Sequence, residues 1–155
     1  MPIINTALTL LKSREFVALA TASPDGKPNC APKLLLKVDG RTAYFIDYGI
    51  GRSFDNIKAN PEVSLSVLDA DSLMAYRLNG KVEIVDGGPA YEECLKEFTA
   101  RQIELSAQRI VKGVQDGKRH AGYEVDITEK FLVYIVTIDE GCEISPRGAV
   151  KRESD

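Results

Sequence analysis

The residues best placed to do chemistry lie between Asp47 and Pro61. An apolar run, Thr42 to Ile46, reads as a strand entering this stretch. Gly49 and Gly51 supply a loop whose backbone reaches positive φ and can approach a ligand closely. Arg52 and Ser53 follow at the predicted start of a short helix, with Ser53 as an N-cap whose hydroxyl accepts from a first-turn N–H. Pro61 ends that helix, because it cannot continue one and biases Asn60 away from αR. Strand, glycine loop, Arg-Ser and helix start together describe a phosphate seat, where unpaired N–H groups, the positive end of the helix dipole and a forked cation converge. The same spacing also describes a plain strand-to-helix turn with a solvated Arg, and a short motif alone does not separate the two.

The frame that must position this stretch is bounded by composition. The chain has 155 residues, which fits one domain over residues 1–155, and it is 44% hydrophobic, enough for a core. A net charge of −3 argues against a nucleic-acid partner or an anionic membrane surface, since both need a net basic field. The longest apolar run, Phe131 to Val136, is too short to cross a bilayer. The N-terminus lacks a basic n-region, so no signal peptide is expected. Cys30, Cys94 and Cys142 form no CxxC and no zinc spacing, which fits a reducing, cytoplasmic setting.

In chain order, Asn5 and Thr6 are predicted to cap a short helix containing Ala7, Leu10 and Leu11. Phe16 to Ala22 reads as a strand, and Ser23-Pro24-Asp25-Gly26 as the turn after it. Pro28 to Val38 is a second strand, whose two prolines place its first half at an edge or bulge. Asp39-Gly40 is a hairpin signal leading into Thr42 to Ile46. Glu62 to Leu68 and Tyr76 to Val85 alternate with period two, as half-buried antiparallel strands do. Pro89 to about Gly113 is the longest helical pattern, with Tyr91, Leu95, Phe98, Leu105 and Ile110 on one stripe. Glu92 with Lys96, and Glu97 with Arg101, are expected as i,i+4 pairs on its wet face. The segment Gln115 to His120 is polar, and Lys130 to Asp139 is a last strand, apolar on both faces. Such a strand needs cover from a helix or a second subunit. Residues 141–155 read as a polar tail with a frayed end. Six short strands with Gly/Pro turns point to an α+β chain built on a small antiparallel Greek-key barrel.

These residues resemble a family. The Phe16–Thr21 strand with Asp25-Gly26-Lys27-Pro28 looks like its first hairpin, and Leu34-Leu35-Leu36-Lys37 with Asp39-Gly40 like its second strand. Arg52-Ser53, Asn56-Ile57 and Asn60 to Leu65 resemble its phosphate loop and following helix, and Leu78 to Val82 its fifth strand. The family is the pyridoxamine 5′-phosphate oxidase-like, FMN-binding split β-barrel proteins. The resemblance covers roughly residues 16–85 and is thin afterwards. It implies a homodimer with FMN at the interface. Pro32, Lys33, Leu34 and Lys37 would then lie along the flavin, Ile46 and Asp47 would border it, and Arg52 would hold its phosphate. The oxidases proper carry a second basic residue where this chain has Ser53, a glutamine where it has Ala75, and a C-terminal Trp segment with Arg-x-His. This chain has no Trp, and its single His, His120, is in another setting. The shorter FMN-binding relatives, electron carriers and flavin or ferric reductases, are the nearer comparison.

On that footing Arg52 is a phosphate clamp and Ser53 a hydroxyl and N–H donor. Lys33 and Lys37, on one strand face by period two, would neutralise the phosphate or lie near the ring's electron-rich edge; otherwise they form a wet strand face. Asp47 would accept from a ribityl hydroxyl or stabilise a turn, and Tyr48 would stack or simply pack. Cys30 is read as an inert small hydrophobe rather than a redox group. No GxSxG is present for a Ser hydrolase. The expectation is a cytoplasmic FMN-dependent oxidoreductase that passes electrons from a nicotinamide donor to a small acceptor. A non-catalytic flavin carrier or store, or a barrel holding haem or a deazaflavin, are the alternatives.

Overall fold

The computed structural model describes residues 2–117 and 131–154. Its strands are β1 (Phe16–Ala22), β2 (Pro28–Asp39), β3 (Thr42–Asp47), β4 (Glu62–Asp69), β5 (Met74–Val85), β6 (Leu132–Ile144) and β7 (Val150–Ser154). The described residues also form three helices: α1 (Ile3–Leu11) before β1, α2 (Arg52–Ala59) between β3 and β4, and α3 (Pro89–Gln115) between β5 and β6. All pairings are antiparallel, in the order β3-β2-β1-β4-β5-β6-β7, and β3 also pairs with β6. That last pairing closes six strands into the expected barrel, and β7 remains as a spur on the end of β6. Alternate residues of each strand fill the interior, among them Leu19, Phe45, Leu65, Leu78, Tyr134 and Val136. From α1, Ile4, Ala7, Leu8 and Leu11 join the same core.

Two irregularities aim the side chains. β1 pairs with Pro28–Leu34, whereas β3 pairs with β2 only from Leu34 onward. Pro28 to Lys33 therefore keeps one open edge, as prolines that cannot donate to a ladder require. Further along, Leu35 faces Phe45 but Lys37 faces Tyr44, so Leu36 is an extra residue in β2. This bulge breaks the period of two. Lys33 and Lys37 do not share a face: Lys33 lies with the interior-facing Leu35, and Lys37 sits outside over the Tyr44 ring at 4.7 Å. The second bulge adds Asp139 to β6 opposite Asn79 and Gly80. There β6 crowds Gly80 so closely that a Cβ would stand 2.2 Å from the Thr137 carbonyl oxygen. Gly80→Ala is expected to destabilise the barrel by about 1–3 kcal/mol, the cost of overpacking against a backbone that cannot yield. A urea midpoint unchanged from the parent would contradict this.

β6 is apolar on both faces, and both are covered within the chain. Tyr134, Val136 and Ile138 point into the barrel, while Phe131, Val133 and Ile135 pack with Tyr91, Cys94 and Phe98 of α3. Phe131 anchors the contact: Phe98 meets its ring edge-on at 5.0 Å, and the Tyr91 hydroxyl donates to its carbonyl at 3.0 Å. The helical stripe is shorter than expected, since Ile110 is 57% exposed. Glu92 and Lys96 do lie on the exposed face, but Glu97 and Arg101 do not pair with each other there. Glu97 reaches Lys37 at 2.9 Å, and Arg101 donates to the Arg14 carbonyl at 3.2 Å. Burial pulls the Lys37 ammonium down, but the hydrogen bond and charge of Glu97 outweigh it and raise its pKa. Both interactions tie α3 to the barrel.

The tail is also structured. Val150–Ser154 pairs with residues 140–144 instead of fraying. Its Glu153 carboxylate accepts from the Ile4 amide at 2.9 Å. The helix itself starts at Ile3 after Pro2, ahead of Asn5 and Thr6, and has no side-chain cap of its own. A carboxylate from the far end of the chain thus satisfies an orphan donor at the positive end of α1. Glu153→Ala is expected to lower stability by about 1 kcal/mol, and a thermal midpoint equal to the parent's would exclude that role. Lys118, Arg119, His120 and Lys130 lie outside the described residues.

Candidate functional site

α3 does not lie flat on the barrel along its whole length. Beyond Phe98 it stands away from the ends of β1, β2 and β3, leaving a cleft of about 270 Å³. One wall comes from the sheet: Phe16, Pro32, Leu34 and Ile46, with Tyr48 at the end of β3. The other is one helical face, Phe98, Gln102, Leu105, Ser106 and Arg109, at the spacing by which a helix presents a single side. Opposed apolar walls with polar groups at the margins suit a flat ring better than a compact polar ligand.

Each end of the cleft carries an ion pair. Lys33 Nζ donates to Asp47 Oδ2 at 2.9 Å, with the two side chains only 13% and 9% exposed. The Tyr134 hydroxyl donates to the same oxygen at 2.6 Å, and the Tyr48 amide to Oδ1 at 2.8 Å. Burial first, then the hydrogen bond and charge of Asp47, push the Tyr134 phenol far above its ordinary pKa, so it stays a neutral donor. An ionised carboxylate offers about four lone-pair sites, and three are taken here. At the other end Arg109 pairs with Glu15 through Nη2. The four charges cancel, so among the described residues the cleft walls are neutral overall.

The loop after Asp47 leads from the cleft to the start of α2. Gly51, at φ 94, is the residue before the helix. Ser53 is therefore not the N-cap; it lies inside the first turn and is buried. The first intrahelical bond runs from the Asp55 amide to the Gly51 carbonyl, so the amides of Arg52, Ser53 and Phe54 have no partner within the helix. The Ser53 hydroxyl accepts from Asn29 Nδ2 at 3.1 Å, which leaves its own O–H free to donate. Among the described residues no ion pair holds the exposed Arg52 side chain. Asp55, in the same turn, offsets the helix dipole when no anion is present. Asn56 anchors α2 on β1 through a buried hydrogen bond to Thr21 Oγ1 at 3.0 Å, and Ile57 enters the core. Pro61 ends the helix after Ala59, as the sequence required.

The fold thus brings Pro32, Lys33, Leu34, Ile46 and Asp47 together in the cleft and places Arg52 and Ser53 beyond its loop. Lys37 lies elsewhere, beneath α3. Of the thiols, Cys30 is exposed on β2 and does not line the cleft. Cys94 is buried, and burial raises its pKa despite nearby Lys37. The α3 wall was not anticipated. Phe98 and Leu105 were visible as a stripe, but nothing in the sequence singled out Gln102, Ser106 and Arg109 on the same side.

The family model described as pyridoxamine 5′-phosphate oxidase matches residues 4–134 of this chain. No curated protein matches. Among solved structures, the fold is similar to the heme binding protein from Mycobacterium smegmatis, with TM-score 0.67 and 15% identity, over 99% of this chain and 58% of that one. It is similar to a pyridoxamine 5′-phosphate oxidase-related, FMN binding protein from Nostoc punctiforme, with TM-score 0.60 and 17% identity, over 98% and 94% of the two chains. It is also similar to an F420 reductase, with TM-score 0.56 and 23% identity, over 86% and 93%. At these identities the likeness is one of fold.

Proposed function

Since the chain belongs to the pyridoxamine 5′-phosphate oxidase-like split-barrel family, we propose that it is an FMN-binding oxidoreductase passing electrons from a nicotinamide donor to a small acceptor. The observation that carries this reading is the continuity of an apolar slot with a helix start rich in anion donors. The slot is lined by Pro32, Leu34 and Ile46, and its loop ends at the unpaired amides of α2 beside Arg52. A neutral slot suits an uncharged ring, and a cationic helix start suits the phosphate of the same molecule.

FMN, when bound, supplies the hydride and electron transfer. The chain's own residues do the holding. Pro32, Leu34, Ile46 and Phe98 exclude water from the ring faces. Asp47 accepts from a ribityl hydroxyl. The Arg52 guanidinium, the Ser53 hydroxyl and the first amides of α2 take the phosphate oxygens. Phe16, Tyr48 and Ile50 are 53%, 38% and 74% exposed around the cleft and its loop. This apolar rim supports a homodimer in which a second copy closes the site. No described helix is long and apolar enough to cross a membrane.

The FMN-loaded protein is expected to be bleached by NADH or NADPH in anaerobic rapid mixing, and to regain its colour when a ferric complex, quinone or second flavin is added. Stacking at near-attack distance is all that hydride transfer asks of the pocket, so no acid or base is needed. Bleaching by dithionite but by neither nicotinamide would remove the enzyme reading and leave the carrier or store.

A further inference from the structure

Among the described residues the cleft contains two cations, and their situations differ. Lys33 is locked: its partner Asp47 is buried, shared with Tyr134 and tied to the Tyr48 amide. Arg109 is held by Glu15 in a pair whose side chains are 26% and 29% exposed. The pair with Glu15 is made through Nη2, and a guanidinium has five N–H donors in a fork. Arg109 can therefore keep Glu15 and still donate to an oxygen within the cleft. Gln102 and Ser106, on the same helical face, add an amide and a hydroxyl beside it.

We infer that Arg109, flanked by Gln102 and Ser106, binds the polar edge of the flavin ring and sets its redox poise, with Glu15 as the opposing charge. The inference rests on the FMN reading above. Hydride transfer breaks a C–H bond of the donor, forms an N–H bond on the ring and leaves one additional negative charge on the ring's polar edge; the donor departs one unit more positive. A cation at that edge stabilises the reduced form more than the oxidised form, whereas a carboxylate there does the reverse. The pair is thus a device with two opposite handles, and the assignment gives a role to the α3 face that the sequence did not mark.

The test is potentiometric titration of the FMN-loaded protein, with dissociation constants for oxidised and reduced FMN measured in parallel. Arg109→Gln is expected to lower the preference for reduced over oxidised FMN about tenfold, the lower end for a charge-assisted hydrogen bond because the pair is partly exposed. For a two-electron couple that is a fall of roughly 30 mV. Glu15→Gln is expected to move the potential the other way, and Arg109→Lys, which keeps the charge, to stay near the parent. A purely structural role for the pair would move Arg109→Gln and Glu15→Gln in the same direction. Same-sign shifts, or no shift in Glu15→Gln, would overturn the inference while leaving FMN binding intact. Should Arg109→Gln fail to fold, the sign of the Glu15→Gln shift decides. A parent protein that binds no FMN would overturn the FMN reading and the inference with it.

Discussion

Asp47→Ala is expected to cost about 3–5 kcal/mol of folding stability, the range for breaking one side of a buried ion pair. The carboxylate accepts from Lys33, Tyr134 and the Tyr48 amide. Its removal strands an ammonium that is 13% exposed and a fully buried phenol. For a domain of this size the loss corresponds to a thermal midpoint lower by roughly 6–20 °C. Asp47→Asn should cost less, because an acceptor oxygen remains for Tyr134. The double variant Lys33→Met with Asp47→Ala should recover part of the loss, since no charge is then left unpaired. Urea unfolding of the four proteins measures this. A loss under about 1 kcal/mol for Asp47→Ala would mean that water enters the barrel mouth and solvates Lys33.

Arg52→Ala is expected to weaken FMN binding while leaving riboflavin nearly untouched. A charge-assisted hydrogen bond contributes about 1.5–3 kcal/mol, so the loss should be roughly ten- to hundredfold. The helix amides and the Ser53 hydroxyl remain in the variant, so binding should persist at higher concentration. Equal losses for FMN and riboflavin would show that Arg52 does not reach the phosphate.

Local chemistry made much of this molecule legible. Pro61 and the Gly49/Gly51 loop bounded α2 to within a residue, and period-two alternation located β4 and β5. The prolines of β2 correctly marked an open edge. What stayed hidden depends on partners far along the chain. The extra residue Leu36 lies in an unbroken run of three leucines with no glycine or proline to flag it, so Lys33 and Lys37 looked coplanar. The acceptor role of Asp47 depends on Tyr134, 87 residues away. β7 pairs with a stretch of β6 containing Glu140, Gly141 and Glu143, whose polarity masked the alternation. The Ser53 cap failed because Gly51, with no side chain, took that place. The cleft wall on α3 exists only because Phe131 and Val133 hold the helix against β6.

FMN binding in the cleft is read most directly by titrating FMN and riboflavin into the purified protein and following flavin emission and visible absorption, with no Trp emission to separate from the signal. The expected result is saturation at one FMN per chain, with riboflavin bound more weakly. Leu34→Arg, which puts a charge into the slot, should abolish both, whereas Arg52→Ala should weaken FMN alone. Failure of the parent to bind FMN, or undiminished binding of FMN in Leu34→Arg, would contradict a flavin site between α3 and the ends of β2 and β3.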